Sequence, residues 1–164
     1  MTAHPQARRL PEAATPGRGL DFGPLAARLG YVLRRAQLAV FRDFIDAFAA
    51  FDVKPAQYSI LTIIEHNPGL KQTQICDALG IKRTNLVAMI DELESRGLAR
   101  REEVPGDRRS HALVLTPAGA ELMPKLHDLS DAHEHRLILS LGGARHKEML
   151  RVMATLACDL DAAE

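Results

Sequence analysis

Apolar residues recur at steps of three and four along much of the chain, which is the period of an α-helix. The longest stripe runs from Leu25 to Phe48 and predicts one helix over residues 24–50. Pro24 suits the first position of that helix, because the N–H that proline lacks would be unpaired there in any case. A second apolar stripe on the same helix passes through Phe41. Two apolar faces predict burial on two sides, one of them against a second subunit.

Breaks in this pattern divide the rest of the chain into shorter elements. Helices are predicted over residues 55–66, 72–79, 82–96, 117–139 and 144–162, and strands over residues 98–104 and 110–115. The breaks are rich in glycine and proline: Asn67-Pro68-Gly69, Gly80, Gly97, Pro105-Gly106-Asp107 and Gly142-Gly143. Thr116 is the expected N-cap residue of the helix at 117–139. Residues 1–21 contain proline and glycine without a periodic pattern and predict a disordered tail.

The composition is that of an ordinary globular protein, since 46% of the 164 residues are hydrophobic and 26% are charged. No apolar run approaches the roughly 20 residues that span a bilayer, and the N-terminal segment lacks the apolar core of a signal peptide. We therefore expect a cytoplasmic protein without membrane contact. The net charge is zero, from 21 basic and 21 acidic residues, which argues against sequence-blind coating of DNA. Cys76 and Cys158 are expected to be buried thiols rather than a disulfide.

Residues 72–89 match the requirements of a helix-turn-helix. Two helices meet at a fixed angle in this motif, which requires a small residue in the first helix and a turn-forming residue after it. Cys76 and Gly80 meet those two requirements. Apolar residues that would hold the helices together occupy the remaining positions: Ile75, Leu79, Ile81, Leu86 and Met89. The alternative is a helical hairpin of core residues with no role in DNA binding.

Four polar residues begin the second helix of this motif: Lys82, Arg83, Thr84 and Asn85. The N-terminal residues of such a helix reach base edges in the major groove, where arginine pairs with guanine and asparagine with adenine. We therefore expect Arg83 and Asn85 to read bases, and Lys82 and Thr84 to hold phosphates.

The two strands that follow predict a hairpin with a charged tip, Asp107-Arg108-Arg109. Arginines at the tip of a two-stranded wing suit the minor groove, whose negative potential attracts them. The predicted fold class is therefore mainly α with a small β-wing, a winged helix-turn-helix joined to a helical dimerisation region. The alternative for the wing is a solvated surface hairpin.

Three phrases occur in order from the recognition helix onward: Leu93-Glu94-Ser95-Arg96-Gly97-Leu98, Asp107-Arg108-Arg109 and Leu115-Thr116-Pro117-Ala118-Gly119. On these phrases the chain, from about residue 25 to its C-terminus, resembles the MarR family of transcriptional regulators. The resemblance implies a salt bridge within the wing between Asp107 and one of Arg108 and Arg109, with the other arginine on DNA. It also implies a two-fold homodimer on an inverted-repeat operator. Many members have Ser or Thr where this chain has Lys82, which weakens helix capping and adds a positive charge.

The phrase Leu29-Gly30-Tyr31-Val32-Leu33-Arg34-Arg35-Ala36-Gln37 is similar to regulators of aromatic-acid breakdown within this family. The resemblance implies a small-molecule effector, an aromatic acid or its CoA thioester, bound between the dimerisation helices and the DNA-binding lobe. The candidate effector-binding residues are Tyr31, Arg34, Arg35, Phe41, Phe44, Phe48, Tyr58 and His66. Two arginines would suit the phosphates of CoA. The alternative is core packing for the aromatic residues, and solvation or pairing with acids such as Asp43 or Glu65 for the arginines.

A metal-responsive regulator of the same fold is the main competing function. His127, Asp131 and His135 share one face of a predicted helix at steps of four, a spacing that suits a metal site. Neither a phosphate-binding glycine loop nor a hydrolase motif occurs in the sequence. We therefore expect neither an enzyme nor a cofactor.

The predicted domain organisation has four parts. They are a tail over residues 1–21, a dimerisation and effector helix over residues 22–52, a winged helix-turn-helix DNA-binding domain over residues 53–116, and C-terminal dimerisation helices over residues 117–164. The predicted function is a sequence-specific transcriptional regulator, expected to be a repressor, that binds an operator as a homodimer and is released by its effector.

Overall fold

The computed structural model describes residues 20–104 and 107–161, so most of the predicted N-terminal tail lies outside the described residues. The helices are α1 (Leu29–Phe48), α2 (Pro55–His66), α3 (Gln72–Leu79), α4 (Arg83–Ser95), α5 (Pro117–Leu141) and α6 (Gly143–Asp161). The strands are β1 (Leu70–Lys71), β2 (Ala99–Val104) and β3 (Asp107–Leu115), and two short 3-10 helices cover Gly23–Ala27 and Ala49–Phe51. This mainly helical architecture with a small sheet confirms the predicted fold class. Within the described ranges, no helix is both long and apolar enough to cross a membrane.

The first helix differs from its prediction. One helix was predicted over residues 24–50, but Gly23–Ala27 forms a separate 3-10 helix and α1 begins at Leu29. Arg28 interrupts the helix because its backbone is extended, with φ −92° and ψ 125°. The periodic pattern of apolar residues did not reveal this break, because only one residue, Arg28, leaves the helical conformation.

Contacts divide the chain into two compact units, one up to Arg42 and one from Asp43, and the division falls within α1. In the first unit, the ring of Tyr31 lies 6.0 Å from the ring of Phe22. Large apolar side chains of this unit are exposed: Leu20, Leu25, Leu29, Leu33, Leu38 and Phe41.

The second unit contains the hydrophobic core. Its fully buried members come from each α-helix between the end of α1 and the middle of α5 and from strand β3, and include Phe48, Ile60, Ile64, Ile75, Leu86, Ile90, Leu93, Leu113, Met123 and Leu126. The three strands form an antiparallel sheet in the order β1-β3-β2, with Leu70 opposite Leu113 and Ala99 opposite Leu115. Strand β1 was not predicted.

Glycines end both helices of the predicted helix-turn-helix. Gly80, after α3, has φ +60°, and the next N–H, of Ile81, donates to the carbonyl oxygen of Cys76 over 3.1 Å. Gly97, after α4, has φ +65°, and the N–H of Leu98 donates to Leu93 over 2.9 Å. In both turns a left-handed glycine lets the chain reverse while the last helical carbonyls keep hydrogen-bond partners. These turns lead into α4 and then into β2.

Helix α5 begins as predicted. The hydroxyl oxygen of Thr116 accepts a hydrogen bond from the N–H of Gly119 over 3.0 Å, and Pro117 occupies the first turn. The helix continues past Pro124 to Leu141.

Candidate nucleic-acid interface

The four residues predicted to contact DNA lie together at the start of α4. Lys82, Arg83, Thr84 and Asn85 are all exposed. Lys82 is the N-cap residue, with extended backbone and no side-chain cap, as expected from the absence of Ser or Thr there. Its carbonyl oxygen accepts from the N–H of Asn85 over 3.0 Å. The N-terminus of a helix carries partial positive charge, so this edge of the protein attracts phosphates.

The opposite face of α4 holds that edge in place. Leu86, Ile90 and Leu93 are fully buried in the core of the second unit. A helix with three consecutive turns anchored by apolar burial cannot rotate about its axis without exposing them. The side chains at its N-terminus are therefore presented outward in a fixed direction.

The wing is formed by β2 and β3. The predicted tip residues Asp107, Arg108 and Arg109 are the first residues of β3, and Asp107 is paired with Val104. Asp107 was predicted to lie in the turn, so the strand begins earlier than the predicted residue 110. The side chains of these three residues, and residues 105–106, lie outside the described part of the chain, and the Asp107 salt bridge stays a prediction.

Four of the predicted effector-binding residues lie in the first unit. Tyr31 is half-buried and Phe41 is 43% exposed. Arg34 is exposed and donates to the amide oxygen of Gln37 over 3.2 Å. Arg35 is half-buried, and its Nε is buried without a hydrogen-bond partner among the described residues. A guanidinium N–H left unpaired in this way has free capacity to donate to an added acceptor.

The other four lie in the second unit. The rings of Phe44 and Phe48 are stacked with centroids 3.8 Å apart, and Tyr58 packs against both. Phe44 and Phe48 belong to the core, in line with the alternative of core packing. His66 is exposed. Of these four residues, Tyr58 contacts both the aromatic core and polar side chains.

Those polar partners were not predicted. The hydroxyl of Tyr58 lies 2.9 Å from Nδ1 of His127, and Nε2 of His127 lies 2.7 Å from a carboxylate oxygen of Glu65. Because the carboxylate only accepts, Nε2 carries a proton, and in a neutral ring Nδ1 accepts from the Tyr58 hydroxyl. This chain of hydrogen bonds links α2 to α5. Glu65 is thus paired with His127.

Asp43 is also paired, with two residues of α5. One of its carboxylate oxygens lies 2.6 Å from Nδ1 of the buried His133, and Arg136 donates to the same oxygen over 2.8 Å. These hydrogen bonds, from Arg136 first and His133 second, hold the pKa of Asp43 below its ordinary value. Asp43 and Glu65 are therefore both paired within the second unit.

The metal alternative receives no support from this arrangement. Both ring nitrogens of His127 are engaged, while Asp131 and His135 are exposed. Across residues 20–104 and 107–161, no three His, Cys, Asp or Glu side chains converge on a point that could hold a metal ion. Cys76 and Cys158 are both free thiols, as expected. Cys76 is only partly buried, against the core, and the expectation of burial is wrong for Cys158, which is exposed.

Comparisons with known proteins agree with this architecture. The family model described as MarR family matches residues 51–110. A predicted transcriptional regulatory protein for the hcr operon of Thauera aromatica is 36% identical over 108 residues, which are 65% of this chain and 65% of that protein. The chain thus spans just under two thirds of the length of this relative.

Two solved structures of the transcriptional repressor CouR are more similar. CouR bound to a 23-mer DNA duplex is 45% identical with a TM-score of 0.79, over 84% of this chain and 98% of CouR. CouR bound to p-coumaroyl-CoA is 42% identical with a TM-score of 0.79, over 84% of this chain and 97% of CouR. These relatives are regulators, as the sequence predicted, and not enzymes. With the family model and near-complete coverage of CouR in agreement, the chain belongs to the MarR family of transcriptional regulators.

Proposed function

We propose that this regulator is a cytoplasmic, homodimeric repressor that binds an inverted-repeat operator and is released by an aromatic acyl-CoA. One observation carries the DNA-binding part. The exposed, basic edge formed by Lys82, Arg83, Thr84 and Asn85 begins a helix whose other face is fully buried. CouR, which shares this fold at 45% identity, has been solved on a DNA duplex.

The homodimer is supported by apolar surface that a single chain leaves uncovered. In α6, Met149, Leu150, Val152 and Leu160 are exposed. Met149 and Val152 line an open groove of about 450 Å³ along α6, together with Ala144, Met153 and the charged residues Arg145 and Glu148. Monomers rarely tolerate contiguous apolar surface of this kind. We propose that residues 22–52 and 117–164 form the dimer, and residues 53–116 bind DNA. A two-fold dimer then requires an inverted repeat with half-sites about one helical turn apart.

The effector is proposed from the CouR complex with p-coumaroyl-CoA and from the arginines of α1. Arg34 is exposed, and the Nε of Arg35 has no hydrogen-bond partner among the described residues, so both have donors available for phosphate oxygens of CoA. We propose that Tyr31, Phe41 and Tyr58 supply apolar and hydroxyl contacts to the acyl group. The remaining proposed effector-binding residues are Phe44, Phe48 and His66.

Release from DNA follows from differential binding. The effector must bind the DNA-incompetent arrangement of the dimer more tightly than the competent one, because equal affinity for both shifts nothing. By reciprocity, operator DNA must weaken effector binding by the same factor.

The test is a titration of p-coumaroyl-CoA into the full chain, with and without an operator selected from random duplexes. We expect the operator to raise the Kd for p-coumaroyl-CoA. Free p-coumarate in a parallel arm distinguishes recognition of the acid from recognition of the thioester. An unchanged Kd would show that p-coumaroyl-CoA is not the effector.

Two variants then locate the CoA contacts. Arg35→Ala should weaken p-coumaroyl-CoA binding about tenfold or more while operator affinity is kept, because it removes a charged donor. Arg42→Ala is the matched control, since Arg42 is an exposed arginine of the same helix outside the proposed set. Equal losses in the two variants would contradict the assignment of Arg35.

A further inference from the structure

Arg101 lies on β2 and contacts the recognition helix α4 through both its backbone and its side chain. Its backbone N–H donates to one carboxylate oxygen of Glu94 over 2.7 Å. Its guanidinium pairs with the other oxygen of the same carboxylate, and with Asp91 over 2.7 Å. The Arg101 side chain is 21% exposed and that of Glu94 is 28% exposed, so the contact is largely shielded from solvent. Charge-assisted hydrogen bonds between arginine and carboxylate are among the strong hydrogen bonds of proteins.

We propose that Arg101 is a positioning residue that sets the angle between the recognition helix and the wing, and thereby the affinity and selectivity for the operator. The inference rests on the proposed DNA-binding function. Arg101 itself contacts no nucleotide in this proposal. It acts through the two elements that do.

The need for such a residue follows from the connection between the two elements. Only Arg96, Gly97 and Leu98 separate α4 from β2, and Gly97 has a left-handed backbone. A glycine turn by itself leaves a hinge, because glycine has more conformational freedom than any other residue. Arg101 lies four residues beyond Gly97 and contacts Glu94 and Asp91 of α4, so it restrains the angle between the helix and the strand on either side of the turn.

The constraint reaches the wing through the sheet. Arg101 is opposite Leu113 of β3, and Leu113 is fully buried. Strand β3 begins with Asp107, Arg108 and Arg109. Fixing Arg101 on α4 therefore fixes where the strand that carries the wing arginines starts, relative to the helix that carries Arg83.

Arg101 also neutralises two carboxylates on the DNA-binding helix. Asp91 lies seven residues after Thr84, hence on the same face of α4, and its side chain is 59% exposed. Asp91 and Glu94 are three residues apart, so without Arg101 they would repel each other. The local charge balance of the proposed interface thus depends on this arginine.

Arg100 provides a matched control. It precedes Arg101 on the same strand, so its side chain points to the opposite face. It is 54% exposed and pairs with Glu102 of the same strand. Replacing either arginine by alanine changes the net charge equally, but only Arg101→Ala removes side-chain ion pairs with α4. The backbone N–H at position 101 can still donate to Glu94.

The experiment measures the affinity of the full-length wild type, Arg101→Ala and Arg100→Ala for a selected operator and for a random duplex over a range of salt concentrations. We expect Arg101→Ala to lower operator affinity about tenfold to hundredfold, with a smaller loss on random DNA. The slope of log affinity against log salt should stay at the wild-type value, because no phosphate contact is lost. Arg100→Ala should leave the ratio of operator to random affinity unchanged.

A slope reduced by about one would overturn the proposal, since it would mean that Arg101 itself contacts a phosphate. Equal effects of Arg100→Ala and Arg101→Ala would also overturn it. If Arg101→Ala fails to fold, Arg101→Lys is the second variant. Lysine keeps the charge but lacks the guanidinium that contacts both Asp91 and Glu94, so we expect a partial loss of operator selectivity at a normal Tm. If the wild-type protein prefers no operator over random DNA, both the proposed function and this inference are refuted. If the wild type is selective and Arg101→Lys is equally selective, only the inference is refuted.

Discussion

Arg96, the C-cap residue of α4, donates a hydrogen bond to the backbone carbonyl oxygen of Asp52 over 2.8 Å. A second N–H of the same guanidinium donates to the carbonyl oxygen of Phe51 over 2.6 Å. Asp52 has a left-handed backbone, with φ 48°, which is uncommon for a residue other than glycine. The end of the recognition helix therefore holds the strained turn that separates α1 from α2.

Arg96→Ala should destabilise the fold, because it leaves two carbonyl groups of this turn without their charged donor. Hydrogen bonds to charged groups contribute about 1.5–3 kcal/mol each, so we expect a loss of at least about 1.5 kcal/mol in the free energy of unfolding. Chemical unfolding at a fixed protein concentration measures it. Arg100→Ala, which breaks an exposed pair within one strand, should change the stability little. Comparable losses in the two variants would show that the turn does not depend on Arg96.

Gly119→Ala should destabilise the chain where α5 meets the start of β2. A Cβ at Gly119 would overlap the backbone carbonyl oxygen of Leu98. Backbone cannot move aside as a flexible side chain can, so we expect a cost of about 1–3 kcal/mol or more. Gly30→Ala is the control, since a Cβ there meets nothing within 4 Å. A lower Tm for Gly119→Ala alone would agree with this close approach, and an unchanged Tm would contradict it.

Arg83→Ala should weaken binding to the operator by about 1–3 kcal/mol and change binding to random DNA little, because a base-reading arginine contributes only at its own base pair. Lys82→Ala should weaken binding to both kinds of DNA and reduce the salt slope by about one, as expected for a phosphate contact. Fluorescence anisotropy on both duplexes measures these effects. If Arg83→Ala weakens both kinds of binding equally, Arg83 does not read a base.

The two wing arginines should have separable roles. Arg108→Ala and Arg109→Ala, made one at a time, should give one variant with a large loss of operator affinity and one with mainly a loss of thermal stability. The first outcome is expected for an arginine in the minor groove, and the second for a partner of Asp107. Operator affinity and Tm are measured for both variants. Unchanged operator affinity in both variants would show that the wing is a surface hairpin with no role in DNA binding.

Local sequence signals were sufficient for most helices. The bounds of α2 and α3 agree with those predicted, because Pro55 and the breaks at residues 67–69 and at Gly80 act within one or two residues of the helix ends. Strand β1 has two residues, too few for a periodic pattern, and exists because Leu70 pairs with the distant Leu113. Elements defined by such long-range pairing leave no local signal.

The candidate sites show the same difference between features with a local sequence signal and features that depend on distant residues. The exposed edge at the start of α4 could be predicted, since position in a helix determines which side chains face solvent. The chain of hydrogen bonds through His127 could not, because its partners Tyr58 and Glu65 are 69 and 62 residues away. The contact of Arg101 with Glu94 is closer, at seven residues, but it depends on the turn at Gly97. Tertiary packing, rather than residue type, creates these pairs.

Asp43 should make the stability of the fold sensitive to acid. The hydrogen bonds from Arg136 and His133 keep the folded-state pKa of Asp43 below its ordinary value of 3.8. Its contribution to stability is therefore complete above that value and is lost as the pH falls through 3.8 towards the lower folded-state pKa. Asp43→Asn should lower the Tm at pH 7, and its difference from wild type should shrink as the pH falls below about 4. Thermal unfolding of both proteins between pH 7 and about pH 2.5 measures this. A difference that stays constant over that range would mean that the charge on Asp43 does not stabilise the fold.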